Sequence, residues 1–209
     1  MKTIAFEEAE KSFSGRKILR NLSAVCLSGQ ITAAVGPNGS GKSTLLKLAG
    51  HFMLPDSGSV TVREEDAVLK GEALRMSIAY MSPELRLYPR LTARENLSFF
   101  LGLRGVPIDD RLYGDVLNRV GMLPETIERT RVGEFSTGMR QRLLFGLMLA
   151  SNADIWLLDE PGANLDDEGR AMMLREMRRG AEENKLILLA TNDSRERGAA
   201  DEAIDLSEH

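Results

Sequence analysis

A glycine-rich segment, GPNGSGKST at residues 36–44, contains the residue types that hold phosphate. Gly36, Gly41, Lys42 and Ser43 fit the spacing G-x-x-x-x-G-K-[ST]. Glycines let the backbone curl so that several N–H groups point at one anion, while the lysine contacts phosphate and the serine is a Mg²⁺ ligand. An apolar segment precedes this loop and a helical one follows it. The sequence therefore predicts a nucleoside triphosphate site rather than an empty glycine-rich turn.

Two acids, Asp159 and Glu160, end the apolar segment IWLLDE. In open α/β sheets ligands bind beyond the carboxyl ends of the strands, so we expect both acids to face the phosphate loop. Asp159 is predicted to hold Mg²⁺ together with Ser43, and Glu160 to orient or deprotonate an attacking water. An acidic pair that only caps the next helix is the weaker alternative, because four apolar residues precede the pair.

Short apolar segments alternate with helical ones, which predicts an α/β fold with a parallel sheet and helices on both faces. The predicted core strands are 31–35, 78–81, 154–160 and 185–191. Residues 84–133 contain two helical segments, the first with Thr92 and Glu95 at capping-box spacing. We therefore predict that the whole chain is one domain, with a nucleotide-binding core of residues 1–83 and 134–209 and an inserted helical subdomain between them.

Composition limits the possible partners of this chain. It has 209 residues, 43% of them apolar, and a net charge of −4, whereas nucleic-acid binders usually carry a basic surface, so no nucleic-acid partner is expected. No segment reaches the roughly 18–20 apolar residues of a membrane-spanning helix, and the acidic start is not that of a signal peptide. A role at a membrane would thus require a separate partner. Cys26 lies in an apolar segment and is predicted to be a small core residue.

Motif spacing leaves more than one class of nucleotide-dependent protein open. The segment DEPG at 159–162 fits the D-x-x-G of GTPases, but NKLI at 184–187 has Ile187 where an acid must pair with guanine. A small-molecule kinase needs an arginine-bearing lid, and the insert contains several arginines, so composition alone does not exclude that class.

The segment EFSTGMRQRLLFGLMLA at 134–150 decides between these classes. It places FSTGM at 135–139, just upstream of DIWLLDEP, where the nucleotide-binding subunits of ATP-binding cassette (ABC) transporters carry a signature usually written L-S-G-G-Q. The chain resembles that family over nearly its whole length, with the motifs in the same order. The resemblance implies a P-loop NTPase fold with a RecA-like, mostly parallel sheet, an N-terminal antiparallel β subdomain and an inserted α-helical subdomain. Within the family the chain looks similar to the haem-export ATPases of cytochrome c biogenesis.

Ser136 and Gly138 stand at the predicted start of a helix, where a hydroxyl, a glycine and the positive helix end form a second anion-binding surface. One molecule cannot easily present this surface to its own nucleotide. The resemblance implies that two copies, or this chain and a related subunit, meet head to tail around ATP. Asp166 in the segment NLD would contact the opposite subunit.

The resemblance also implies an adenine contact at Phe13, with a core phenylalanine beside Phe6 as the alternative. Leu87 and Tyr88 are candidates for contact with a membrane subunit, and burial in the insert is the alternative for both. The residues expected to bind ATP are Phe13, Gly36, Asn38, Gly39, Gly41, Lys42, Ser43, Thr44, Ser136 and Gly138.

Two positions depart from the family pattern. Pro83 stands where the family has a glutamine, with Glu84 next to it, and Asn192 stands where the family has a histidine. We assign Asn192 to catalysis together with Glu160. Asparagine donates a hydrogen bond but carries no positive charge, and a charge-assisted contact contributes about 1.5–3 kcal/mol. Hydrolysis that is weakened without loss of ATP binding is therefore expected.

The resemblance implies an ATPase that powers transport through a separate membrane-spanning subunit, with the chain cytoplasmic and peripheral on the inner face of the cell membrane. A soluble ABC-type ATP switch that regulates a partner protein is the alternative. A DNA-repair ABC ATPase is not favoured, because the short insert leaves no room for coiled-coil arms.

Overall fold

The computed structural model describes residues 1–207 and contains two sheets with helices packed around them. The strands are β1 (Lys2–Phe13), β2 (Arg16–Leu27), β3 (Ile31–Val35), β4 (Ser57–Glu64), β5 (Ala67–Val68), β6 (Ile78–Met81), β7 (Ile155–Asp159), β8 (Leu186–Ala190) and β9 (Glu202–Asp205). The helices are α1 (Lys42–Ala49), α2 (Gly71–Ser77), α3 (Ala93–Gly102), α4 (Asp110–Arg119), α5 (Pro124–Ile127), α6 (Thr137–Ala150), α7 (Asp167–Glu182) and α8 (Ser194–Gly198), with a 3₁₀ turn at Val132–Glu134.

The larger sheet has the order β6-β7-β8-β3-β9, and its neighbouring strands pair in parallel. Every residue of β3, β7 and β8 is buried, as expected where helices cover both faces of a parallel sheet. The predicted α/β P-loop fold is confirmed. Because these three strands run in the same direction, the residues that follow Val35, Asp159 and Ala190 meet at one edge of the sheet.

The smaller sheet is antiparallel, with the order β2-β1-β4-β5, and forms the predicted N-terminal β subdomain. The pairing of β1 shifts register between Phe6 and Ala9, where Glu8 has a φ of 49°. Gly58 faces this irregularity with a φ of 73°, and a Cβ there would lie 2.2 Å from the Glu8 carbonyl oxygen. Only glycine fits this close approach of two strands. The apolar face of the sheet packs on α1 and the larger sheet.

Three helices, α3 to α5, follow β6; α3 and α4 pack against α6, and α5 packs against α4. A Cβ on Gly146 of α6 would lie 3.0 Å from Val116 Cγ1 of α4. The predicted capping box is present: Thr92 Oγ1 accepts from the Glu95 amide, and Glu95 accepts from the Thr92 amide. The insert residues share one apolar core with the larger sheet. The predicted division at residues 84 and 133 stays a prediction.

Cys26 is buried in the core between the two sheets, as predicted, and burial raises the pKa of its thiol to about 12. Among residues 1–207, no helix has both the length and the apolar composition to cross a bilayer.

Candidate nucleotide-binding site

The loop between β3 and α1 is shaped by three glycines with positive φ: 147° at Gly36, 80° at Gly39 and 101° at Gly41. A Cβ on Gly36 would lie 2.7 Å from Ser40 Oγ, and one on Gly41 would lie 2.8 Å from Ile18 Cγ2. The fold therefore requires glycine at the first and last of these positions, in both backbone conformation and space.

Lys42 is the first residue of α1 and is buried under the loop. Its Nζ donates to the carbonyl oxygens of Gly36, at 2.9 Å, and Pro37, at 3.0 Å. An ammonium has three N–H donors, so these two bonds orient the group and leave one N–H for an anion in the loop. The N-terminal end of α1 adds its positive partial charge at the same place.

Asp159 is the last residue of β7, and its buried carboxylate is hydrogen-bonded by the Ser43 hydroxyl. Burial raises the pKa of Asp159, while the Ser43 hydrogen bond and the charges of Lys47 and Lys42 oppose that rise and the charge of Glu84 adds to it. A carboxylate beside a hydroxyl is a set of hard oxygen donors, which suits Mg²⁺. Within residues 1–207 there is no group of three or more His, Cys, Asp or Glu suited to a metal.

Glu160 follows directly, with a φ of 48°, a conformation that is uncommon for a non-glycine residue. The Asn192 amide, just beyond β8, donates to Glu160 Oε1 and to Asn38 Oδ1, each at 2.8 Å. One side chain thus links the ends of two strands to the phosphate loop. Both N–H groups of the amide are used, so Asn192 can reach a phosphate only by releasing one of these partners.

Phe13 is 45% exposed at the end of β1, so the alternative that it is a core residue is wrong. Phe13 lines a cavity of about 330 Å³ beside the loop. This cavity brings together eight of the predicted residues: Phe13, Asn38, Gly39, Gly41, Lys42, Ser43, Thr44 and Glu160. Gly36 and Asn192 line an adjoining cavity.

Ser136 and Gly138 are not brought to this cavity. Ser136 caps α6, with its Oγ accepting from the Met139 amide at 3.1 Å, and it is exposed. Both residues line a separate cavity of about 440 Å³ together with Arg142 and Asp166, whose side chains form an ion pair at 2.7 Å. Within a single chain, the phosphate loop and the N-terminal end of α6 at Ser136 therefore line different cavities.

The family model described as "ABC transporter" matches residues 19–163. The chain belongs to the ABC transporter family.

Two curated relatives show the range of proteins that this ABC chain is similar to. It is 33% identical to the probable multidrug ABC transporter ATP-binding protein YbhF of Escherichia coli. The alignment of 193 residues covers 90% of this chain and 33% of the relative. It is 32% identical to the cytochrome c biogenesis ATP-binding export protein CcmA of Brucella abortus. That alignment of 178 residues covers 85% of this chain and 80% of the relative. The chain thus spans about a third of the first relative and most of the second.

Solved structures agree with this assignment. MJ0796, described as a bacterial ABC transporter cassette in a dimeric structure, superposes with a TM-score of 0.83 at 25% identity, covering 98% of this chain and 94% of that one. A putative ABC transporter ATP-binding protein from Pyrococcus furiosus, at 20% identity and a TM-score of 0.82, shares the fold.

The segment that joins the ABC core to its insert differs from the prediction at one residue. Leu87 is buried in the apolar core that the insert shares with the larger sheet, so it is not available to a membrane subunit. Tyr88 is exposed and packs on Phe99 and Phe100, with ring centroids 5.0 and 5.7 Å away. Glu84 forms a 3.4 Å ion pair with Lys47 of α1, so the acid beside Pro83 lies near the phosphate-loop helix.

One buried carboxyl group near Glu160 was not predicted from the sequence. Glu196 of α8 is buried, and a Cβ on Gly162 would lie 2.0 Å from its Oε1. Burial, together with the charges of Asp193 and Glu160, raises the pKa of Glu196, and a hydrogen bond from Thr191 opposes the rise. Arg170 of α7 donates to the Gly162 carbonyl at 3.3 Å. No local pattern marks Glu196, because Gly162 and Glu160 approach it only in the folded chain.

Proposed function

We propose that this ABC chain is the ATP-binding and ATP-hydrolysing subunit of a transporter, and that two copies, or this chain and a related subunit, close around ATP. One observation carries the proposal. The phosphate loop, the oxygen donors of Ser43 and Asp159 and the carboxylate of Glu160 meet at one sheet edge, whereas Ser136 and Gly138 line a separate exposed cavity. The helix end of one chain is then available to the nucleotide of a second chain.

The residues of this chain have distinct parts in the proposed reaction. The loop N–H groups and Lys42 bind the phosphates, and Phe13 stacks on the adenine ring. Ser43 and Asp159 would hold Mg²⁺, which neutralises charge on the phosphate oxygens when bound. Glu160, at the rim of the same cavity, orients a water and accepts its proton.

Hydrolysis is proposed to be slow in this subunit. Asn192 offers neutral N–H groups in place of an imidazolium, and both are occupied by Glu160 and Asn38. Pro83 has no side-chain acceptor for a metal or a water. ATP binding depends on other groups, namely the loop and Lys42. We therefore expect slower ATP turnover with the affinity for ATP retained.

A membrane-spanning subunit is the proposed partner, which would place the chain on the cytoplasmic side, peripheral on the inner face of the cell membrane. A mostly apolar groove of about 350 Å³ lies between the core and the insert, with Phe52, Leu85 and Leu103 exposed along it. An apolar groove this size suits a short helix of a partner. Similarity to CcmA favours the haem-export type. A soluble ATP switch is not favoured, because one relative is named as an ABC transporter ATP-binding protein and the other as an ATP-binding export protein.

Measured ATP hydrolysis tests the proposal. The purified chain should release phosphate from ATP in the presence of Mg²⁺, Lys42→Ala should lose ATP binding, and Glu160→Gln should bind ATP but lose turnover. Hydrolysis by Glu160→Gln at the wild-type rate, or nucleotide affinity that is unchanged in Lys42→Ala, would contradict it.

A further inference from the structure

The turn that carries Glu160 is held in an unfavourable conformation by contacts from neighbouring helices. The positive φ of Glu160 is strained for a non-glycine residue, and such strain persists only when surrounding contacts fix it. Residue 161 is a buried proline, whose ring fixes φ. With φ fixed, ψ is the only soft backbone dihedral between the Glu160 peptide and the Pro161 carbonyl, so holding that carbonyl restrains the turn that carries Glu160.

Gln141 makes that contact. Its Nε2 donates to the Pro161 carbonyl oxygen at 2.8 Å. Gln141 lies on α6, five residues after Ser136, so the two side chains are about 7.5 Å apart along one helix. Leu143 and Phe145, further along α6, are fully buried, so the helix is a rigid element anchored in the core on the C-terminal side of Gln141.

We propose that Gln141 is a positioning residue that couples the two nucleotide sites of the dimer. When the Ser136 end of α6 closes on the triphosphate held by the second chain, the helix carries Gln141 with it. Gln141 then moves the Pro161 carbonyl and sets the orientation of Glu160 toward its own nucleotide. This inference rests on the proposed function, because it requires that α6 meets a second chain.

The test is Gln141→Met, which keeps the length of the side chain and removes the N–H donor. We expect kcat to fall about 3- to 10-fold, the effect of one lost hydrogen bond, with the KM for ATP and analogue-induced dimerisation unchanged. The control is Ser77→Ala, which removes a side-chain bond of the same type, to the Leu74 carbonyl at 2.8 Å and far from the site. It should shift Tm by a similar amount and leave kcat unchanged.

A double-mutant cycle separates positioning from general stability. In the Glu160→Gln background, Gln141→Met should have no further effect on the residual single-turnover rate, because the group it orients has been removed. The inference would be overturned if Gln141→Met lowered the rate equally in the wild-type and Glu160→Gln backgrounds, or if Gln141→Met alone kept the wild-type kcat. A wild-type chain that does not hydrolyse ATP would instead overturn the proposed function, so the two failures are distinguishable.

Discussion

The amide of Asn192 donates one N–H to Asn38 and the other to Glu160. At this scale the spacing of the loop glycines, Lys42 and Ser43 was sufficient to predict their placement, because the motif is local and each member has one physical task. Asn192 was singled out only through the family resemblance, at the position where the family has a histidine. Its two partners were not predicted, since they come from different strand ends that only the folded sheet brings together.

Replacing Asn192 by histidine should raise kcat for ATP hydrolysis about tenfold. A charge-assisted hydrogen bond contributes about 1.5–3 kcal/mol, and about 1.4 kcal/mol is tenfold in rate. The gain should be present below the imidazole pKa of about 6.5 and lost as pH rises through it, because only the imidazolium carries charge. Asn192→Ala is the control: its kcat, measured at pH values below and above that pKa, should not exceed the wild-type kcat. A histidine variant no faster than wild type at low pH would show that charge at this position does not limit turnover.

Among the elements, the buried strands β3, β6, β7 and β8 were predictable because each is a short, continuous apolar segment between turn signals. The helices α2 and α8 were missed. Leu74 is the one residue of α2 that is buried, and Glu196 the one of α8, so neither helix shows an apolar period. Contacts between sheets were equally hidden, since they join residues that are distant in the sequence.

Asp154, just before β7, joins the two sheets. It forms ion pairs with Lys2 of β1 at 3.0 Å and with Lys185, which precedes β8, at 2.7 Å. Burial alone would raise the pKa of Asp154, but hydrogen bonds from Lys185 and Lys2 outweigh it and hold the pKa below its ordinary value. A depressed folded pKa means that the stabilisation is present above the unfolded pKa of about 3.9 and is lost as pH falls through the folded value.

Asp154→Asn should therefore lower the free energy of unfolding by about 1 kcal/mol at neutral pH, a modest effect because the side chain is 43% exposed and solvent screens its charge. Urea unfolding at neutral pH and at a pH below the carboxyl pKa measures it, and the difference from wild type should shrink in acid. Glu183→Gln, which breaks an exposed pair with Arg179 at the C-terminal end of α7, is the control. If Asp154→Asn lowers the free energy of unfolding equally in acid and at neutral pH, the charge of Asp154 is not the cause of the loss.

For the molecule as a whole, the groove between core and insert is the proposed contact with a membrane subunit. Leu103 is 71% exposed beside it, so Leu103→Asp should abolish co-purification with that subunit while the isolated chain keeps its ATP turnover. Val25→Asp, at a residue 61% exposed on the smaller sheet, is the matched control and should co-purify normally. Equal recovery of the membrane subunit with both variants would move the contact to another surface.

Closure of two chains around ATP is the central claim, because the loop and the Ser136 end of α6 lie in separate cavities of one chain. The most direct measurement is the molar mass of Glu160→Gln in solution with and without ATP and Mg²⁺. We predict a monomer that becomes a dimer only with ATP, and no dimer when Ser136→Arg is added. A monomer under all conditions, or an ATP-induced dimer that tolerates Ser136→Arg, would contradict the account.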